Sequence, residues 1–205
     1  MFSTGSANLN TLLRGGYPGG ELSVITGGVA SGRTSLAHAA VRAAVGRGKQ
    51  ALLLDYEERP RTLEDARQAV LWGLRSSGVD LIVVDSLDST IDGVNPSCLL
   101  EIASALRREA GLDKAVVVTW QTSRTGGYPM WVVRSASVHL HLVRQPPYAG
   151  GVLVQVQKDR NSVSTDEVPS CLLQFEERAL SDVRIVNPGL DPSRVLTRFD
   201  RSEVL

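Results

Sequence analysis

Four short runs of this chain are apolar at nearly every position: 22–26 (LSVIT), 51–55 (ALLLD), 81–85 (LIVVD) and 115–120 (AVVVTW). Continuous runs of this length, rich in Val, Ile and Leu, suit parallel strands covered on both faces. Between them the pattern turns helical. Residues 34–46 are Ala-rich and follow a glycine loop, and 62–75 open with Thr62-Leu-Glu-Asp65, the spacing of a capping box. Residues 96–110 carry Pro96 at their start and Gly111 just past their end. Strand alternating with helix predicts an α/β fold, with a mainly parallel, doubly wound central sheet flanked by helices.

After Gln121 the pattern changes. Residues 138–144 (VHLHLVR) and 152–157 (VLVQVQ) alternate apolar with polar, as half-exposed strands do. The stretch 146–151 (PPYAGG) between them is a turn, which predicts an antiparallel hairpin at the sheet edge. Residues 170–175 form a further strand. From Glu176 on, charge mixes with Pro188 and Pro192 and the periodicity fails. The expected organisation is one core over 1–175 and an irregular tail over 176–205, packed on the core or on a partner.

Composition narrows the function. The chain has 205 residues, with 22 Lys+Arg balancing 22 Asp+Glu, so the surface as a whole is not that of a basic nucleic-acid module. Any DNA site is a local patch. Cys98 and Cys171 fit no metal-ligand spacing, and His139 and His141, two apart on one strand face, lack a third ligand. The N-terminus has neither the basic nor the apolar region of a signal peptide. No apolar run approaches the roughly 20 residues that cross a bilayer. The expected setting is cytoplasmic, away from membranes.

The chemistry concentrates at strand ends. Gly27, Gly28, Val29, Ala30, Ser31, Gly32, Arg33 and Thr34, followed by Ser35, have the P-loop spacing G-x-x-x-x-G-[K]-[ST], with Arg33 where lysine is usual. Glycines let backbone N–H groups curl around phosphate oxygens, and the helix N-terminus adds partial positive charge. The Thr34 hydroxyl suits Mg²⁺. Arginine keeps the charge of lysine but is a longer, planar fork, so binding survives the exchange more readily than hydrolysis does. Asp55, Glu57 and Glu58 end the second strand above the crevice where such folds bind ligands; one of them is placed to polarise a water, unless they form only a solvated acidic strand end. Asp85 closes the third strand as a carboxylate for the magnesium shell. Gln121 ends the fourth, where an amide senses a γ-phosphate. The loop after it carries Arg124 and Tyr128, a cation and an aromatic suited to single-stranded nucleic acid, or to an ordinary surface loop. Lys158 and Arg160 share a strand face and are either trans-acting fingers for a neighbour's nucleotide or exposed charge.

The order of these pieces resembles the RecA-fold ATPases: RecA and RadA recombinases, KaiC and the DnaB-type helicases. The stretch from Thr4-Gly-Ser6 to Gly15-Gly-Tyr-Pro-Gly-Gly20 looks like that family's lead-in to the P-loop strand. Glu57 matches the recombinase position of the catalytic glutamate, and the Glu57-Glu58 pair looks like KaiC's tandem acids. Asp85 is similar to the Walker B aspartate of RecA, Gln121 to its nucleotide-sensing glutamine, and Lys158-Asp-Arg160-Asn161 to the finger of RadA and DnaB. The resemblance covers about residues 3–175. Arg33, the roughly 30 residues between Asp55 and Asp85, the lack of a preceding segment and the unmatched tail depart from it. They describe a reduced, core-only relative.

The resemblance implies an ATP- and Mg²⁺-binding protein acting on single-stranded DNA in recombination, repair or replication. Its hydrolysis is weak or DNA-stimulated, and it works as a homo-oligomer or with another RecA-fold or repair protein. In that reading Thr34 and Asp85 hold Mg²⁺, Glu57 activates water, Gln121 reports nucleotide state to the Arg124 loop, and Lys158 and Arg160 complete a neighbour's site. The alternatives are a non-hydrolysing adaptor that docks a recombinase, polymerase or other repair partner, and a KaiC-like signalling ATPase.

Overall fold

A computed structural model describes residues 1–56, 62–89, 96–105, 108, 113–122, 134–144, 151–159, 168–176 and 179–186. The four apolar runs form β1 (Leu22–Gly27), β2 (Ala51–Asp55), β3 (Leu81–Asp85) and β4 (Ala115–Gln121). They are followed by β5 (Val138–Arg144), β6 (Gly151–Asp159), β7 (Ser170–Glu176) and β8 (Ala179–Val186). All eight lie in one sheet, in the order β2-β3-β4-β1-β5-β6-β7-β8. The first five neighbours pair parallel, and β6, β7 and β8 add on antiparallel. This is the expected sheet, with a longer antiparallel flank than a single hairpin gives. The short spacing between Asp55 and Asp85 is accommodated because β2 pairs directly with β3, joined by a single helix.

Period two divides the sheet into two cores. Val24, Ile82, Val84, Val116 and Val118 point to one face, and Ile25, Val83, Val117, Leu140 and Val154 to the other. Helices α1 (Ala7–Leu12) and α2 (Arg33–Val45) supply Leu9, Leu36 and Ala40 to the second core. Helix α3 (Leu63–Arg75) and residues of α4 (Pro96–Ala105) cover the first, through Ala66, Val70, Leu74 and Ile102. The cap predicted at Thr62 is present: its hydroxyl accepts from the Asp65 amide (3.1 Å), and the Asp65 carboxylate accepts from the Thr62 amide (3.2 Å).

The tail is corrected in one respect. Residues 179–186 form β8 rather than irregular chain. Its alternation is hidden in the sequence by a register shift: Leu172 pairs with Arg184 and Leu173 with Asp182, so Val183 is an extra residue that breaks period two. Residues 187–205 lie outside the described part of the chain.

The lead-in to β1 also has a structural basis. Ser6 caps α1, its hydroxyl accepting from the Leu9 amide at 3.0 Å. The Thr4 amide donates to Asn10 Oδ1 at 2.8 Å, and Asn10 in turn donates to Ser3 Oγ at 2.9 Å. Gly5 sits between them with φ +87°, where an added Cβ would lie 2.6–2.8 Å from Ala39 of α2. Phe2 and Tyr17 close the segment as an isolated antiparallel bridge. Thr-Gly-Ser therefore docks the N-terminal segment onto the helix that follows the glycine loop.

Candidate functional site

Parallel pairing brings the C-terminal ends of β1, β3 and β4 to one edge. Gly27 lies beside Gln121, and Val84 beside Val118, which sets Asp85 next to Thr119. The backbone turns at this edge are tightly constrained. A Cβ on Gly27 would fall 2.3 Å from Ser31 Oγ and 2.9 Å from the Leu142 carbonyl, so the loop can leave β1 only from glycine. Ala30 adopts φ +55° and Gly32 φ +87°, left-handed conformations that fold residues 28–32 back over the start of α2.

Helix α2 begins without a side-chain cap, its N-cap being Gly32. No side chain of the N-cap therefore competes for this helix end, where a helix meets an anion. Among the described residues a Cβ on Gly28 would meet Thr122 Oγ1 alone, at 3.9 Å, which leaves room there for a close-fitting group. A cleft of about 440 Å³ lies over these residues, bounded by residues 29–35, Gln121, Arg144, Gly151 and Val152. Backbone donors, a left-handed loop and an uncapped helix end together make a concave anion cradle.

Asp85 is 1% exposed. Its Oδ1 accepts from Thr119 Oγ1 at 2.5 Å, which fixes the carboxylate in place. Its Oδ2 has no hydrogen-bond partner among the described residues. A buried carboxylate oxygen without a hydrogen-bond partner calls for one, so Oδ2 fits a divalent ion at this edge. Thr34 stands on the first turn of α2 beside the cradle.

Arg33 is 6% exposed, and its Nη2 donates to Gln121 Oε1 at 3.0 Å. The charge that a P-loop lysine directs at phosphate is here shared with the amide at the end of β4. Gln121 is held in turn through its main chain. Its N–H donates to Asp88 Oδ1 at 2.9 Å, and the next amide, Thr122 N–H, donates to the Gly27 carbonyl at 2.9 Å. Loop, amide and strand end thus form one connected set. The pattern of motifs gave Gly27, Arg33 and Gln121 separately but not Asp88, and the Arg33–Gln121 bond emerges only from the fold.

Two histidines sit just behind the loop. Thr26 Oγ1, one residue before Gly27, lies 2.8 Å from His139 Nε2 and 2.9 Å from His141 Nδ1. Burial holds the His139 imidazole down at about 4, with His141 and Lys158 adding to the effect, and burial also lowers His141. Both rings are engaged with the β1 hydroxyl as neutral groups. Lys158 pairs with His139 across the β5–β6 ladder, and its Nζ lies 3.5 Å from the Arg134 carbonyl. Among the described residues, no three His, Cys, Asp or Glu groups converge as a metal cluster, and no helix is long and apolar enough to cross a membrane. Glu57, Glu58, Arg124, Tyr128 and Arg160 lie outside the described residues.

The sheet order, the two helical layers and the glycine loop at the crevice define a RecA-like α/β core, and the chain has the RecA fold. Among solved structures, the RadB recombinase is similar to it with a TM-score of 0.64 at 22% identity, over 90% of this chain and 100% of that one. Among curated proteins, the RecA protein of Prochlorococcus marinus is 34% identical over a match of 105 positions, with 42% of this chain and 28% of that protein covered. The similarity thus spans less than a third of the length of the curated relative. No protein-family model matches the chain.

Proposed function

We propose that this RecA-fold protein binds ATP with Mg²⁺ and acts on single-stranded DNA in recombination, repair or replication, with weak or DNA-stimulated hydrolysis. The observation that carries the reading is the uncapped, left-handed glycine loop set beside a buried carboxylate with an orphaned oxygen. The likeness to RecA and to a recombinase supports the cellular role.

In this reading the N–H groups of residues 28–34 bind the phosphates, and Thr34 and Asp85 hold Mg²⁺. The ion, when bound, neutralises phosphate charge and orients the terminal phosphoryl group. Thr119 keeps the Asp85 carboxylate aimed. Glu57 takes a proton from the attacking water, with Glu58 beside it. Gln121 passes the state of the site to the loop bearing Arg124 and Tyr128, which grips DNA by phosphate contact and stacking. Lys158 and Arg160 reach the site of a neighbouring subunit.

One observation favours the adaptor reading: Arg33 is engaged with Gln121, the residue that otherwise reads the terminal phosphate. Steady-state ATP hydrolysis, measured with and without single-stranded DNA, separates the two. Turnover that rises on adding DNA supports the first reading. ATP binding without turnover in either condition supports the adaptor.

A further inference from the structure

His38 lies on α2, four residues beyond Thr34, and therefore on the same helical face. Its Nε2 is 3.9 Å from Asp85 Oδ2. Both atoms are buried, and neither has a hydrogen-bond partner among the described residues. Their separation exceeds the 2.7–3.2 Å or so of a hydrogen bond. It is a few tenths of an ångström wider than the roughly 3.3–3.6 Å between two tetrahedral ligands that each bond one dication at about 2.0–2.2 Å, so a small approach lets both reach one ion. The other oxygen of Asp85 accepts from Thr119, whereas Oδ2 is without a hydrogen-bond partner among the described residues and lies towards the imidazole.

We infer that the cation pocket of this protein is a mixed nitrogen–oxygen site, with His38 Nε2 joining Asp85 Oδ2 and the Thr34 hydroxyl, and that it takes a first-row transition-metal dication in preference to Mg²⁺. The inference rests on the nucleotide reading above. Mg²⁺ demands oxygen ligands and gives up water reluctantly, whereas imidazole is a better ligand for transition metals. Among the described residues two side chains, His38 and Asp85, approach each other here, too few to hold an ion alone. Phosphate oxygens and water must complete the shell, so tight metal binding requires nucleotide.

Mn²⁺ with a non-hydrolysable ATP analogue is the probe. Pulsed electron paramagnetic resonance on the full chain is expected to show a directly coordinated imidazole nitrogen in the ternary complex. His38→Gln is expected to abolish that signal while His139 and His141 remain. The ratio of analogue affinities in Mn²⁺ and in Mg²⁺ is expected to fall about tenfold in the variant. Circular dichroism confirms that the variant is folded, and His38→Asn serves as a second substitution if it is not. Analogue bound with Mn²⁺ but without nitrogen coupling overturns the mixed site and leaves the nucleotide reading standing. Failure to bind the analogue in either metal overturns both.

Discussion

Arg33 occupies the position where the P-loop pattern has lysine, and its guanidinium is already turned towards Gln121 Oε1 at 3.0 Å. A planar fork can hold that amide and reach a phosphate only in part, whereas a lysine delivers a compact charge to one point. Arg33→Lys is therefore expected to release Gln121 and raise kcat at saturating ATP by about tenfold or more, the scale on which catalytic groups respond to small displacements. An unchanged kcat removes Arg33 as a brake. His139 makes a different prediction. Its folded value, near 4, lies below the roughly 6.5 of an unfolded histidine, so the unfolded chain takes up the proton first. Stability is full above about pH 6.5 and is lost as the pH falls towards 4, with roughly 2 kcal/mol gone by pH 5. Urea midpoints at pH 7 and pH 5 measure this loss, and His139→Gln is expected to reduce it. Equal loss in both proteins would show that another group carries the acid sensitivity. At this scale the sequence revealed residue types and their order. The Thr26 hydroxyl between two histidines, and the Asp85 oxygen facing His38, join residues far apart in the chain that no local pattern connects.

Elements were legible where periodicity and caps agreed. Strands β2 and β3 carry the bounds that their apolar runs predict, and α3 starts after the Thr62 cap because the Thr62–Asp65 spacing satisfies two backbone donors reciprocally. Helix α1 was not legible as a helix, being six residues long and held by docking rather than by propensity. Strand β8 was masked by the extra residue Val183. The docking of α1 carries its own prediction. A side chain on Gly5 meets both an unfavourable φ of +87° and the main chain of Ala39, which cannot move without shifting α2. Gly5→Ala is expected to cost about 3 kcal/mol, the left-handed strain and the overpacking together. Chemical denaturation checks it, and a loss below about 0.5 kcal/mol, the range of a neutral surface change, would mean that the lead-in does not anchor the helix.

Over the whole molecule, parallel pairing is what turns separate motifs into a site. It places the ends of β1, β3 and β4 at one edge, so a glycine loop, an aspartate and a glutamine more than thirty residues apart from one another meet there, the loop and the glutamine lining one cleft. The α/β class and the antiparallel flank could be read from where the apolar runs give way to alternation. The Arg33–Gln121 coupling could not, because it depends on which strands are neighbours. Zero formal net charge means that no net charge draws nucleic acid in, so under the proposed function affinity for DNA must come from a local patch rather than from the bulk surface. All of this rests on the cradle holding phosphate. The direct measurement is an equilibrium titration of the protein with ATP and Mg²⁺, competed by ADP and by AMP. The geometry predicts saturable binding with one nucleotide per chain that ADP displaces and AMP, lacking the second phosphate, does not. No saturable binding, or displacement by AMP as effective as by ADP, would contradict a phosphate site at the glycine loop.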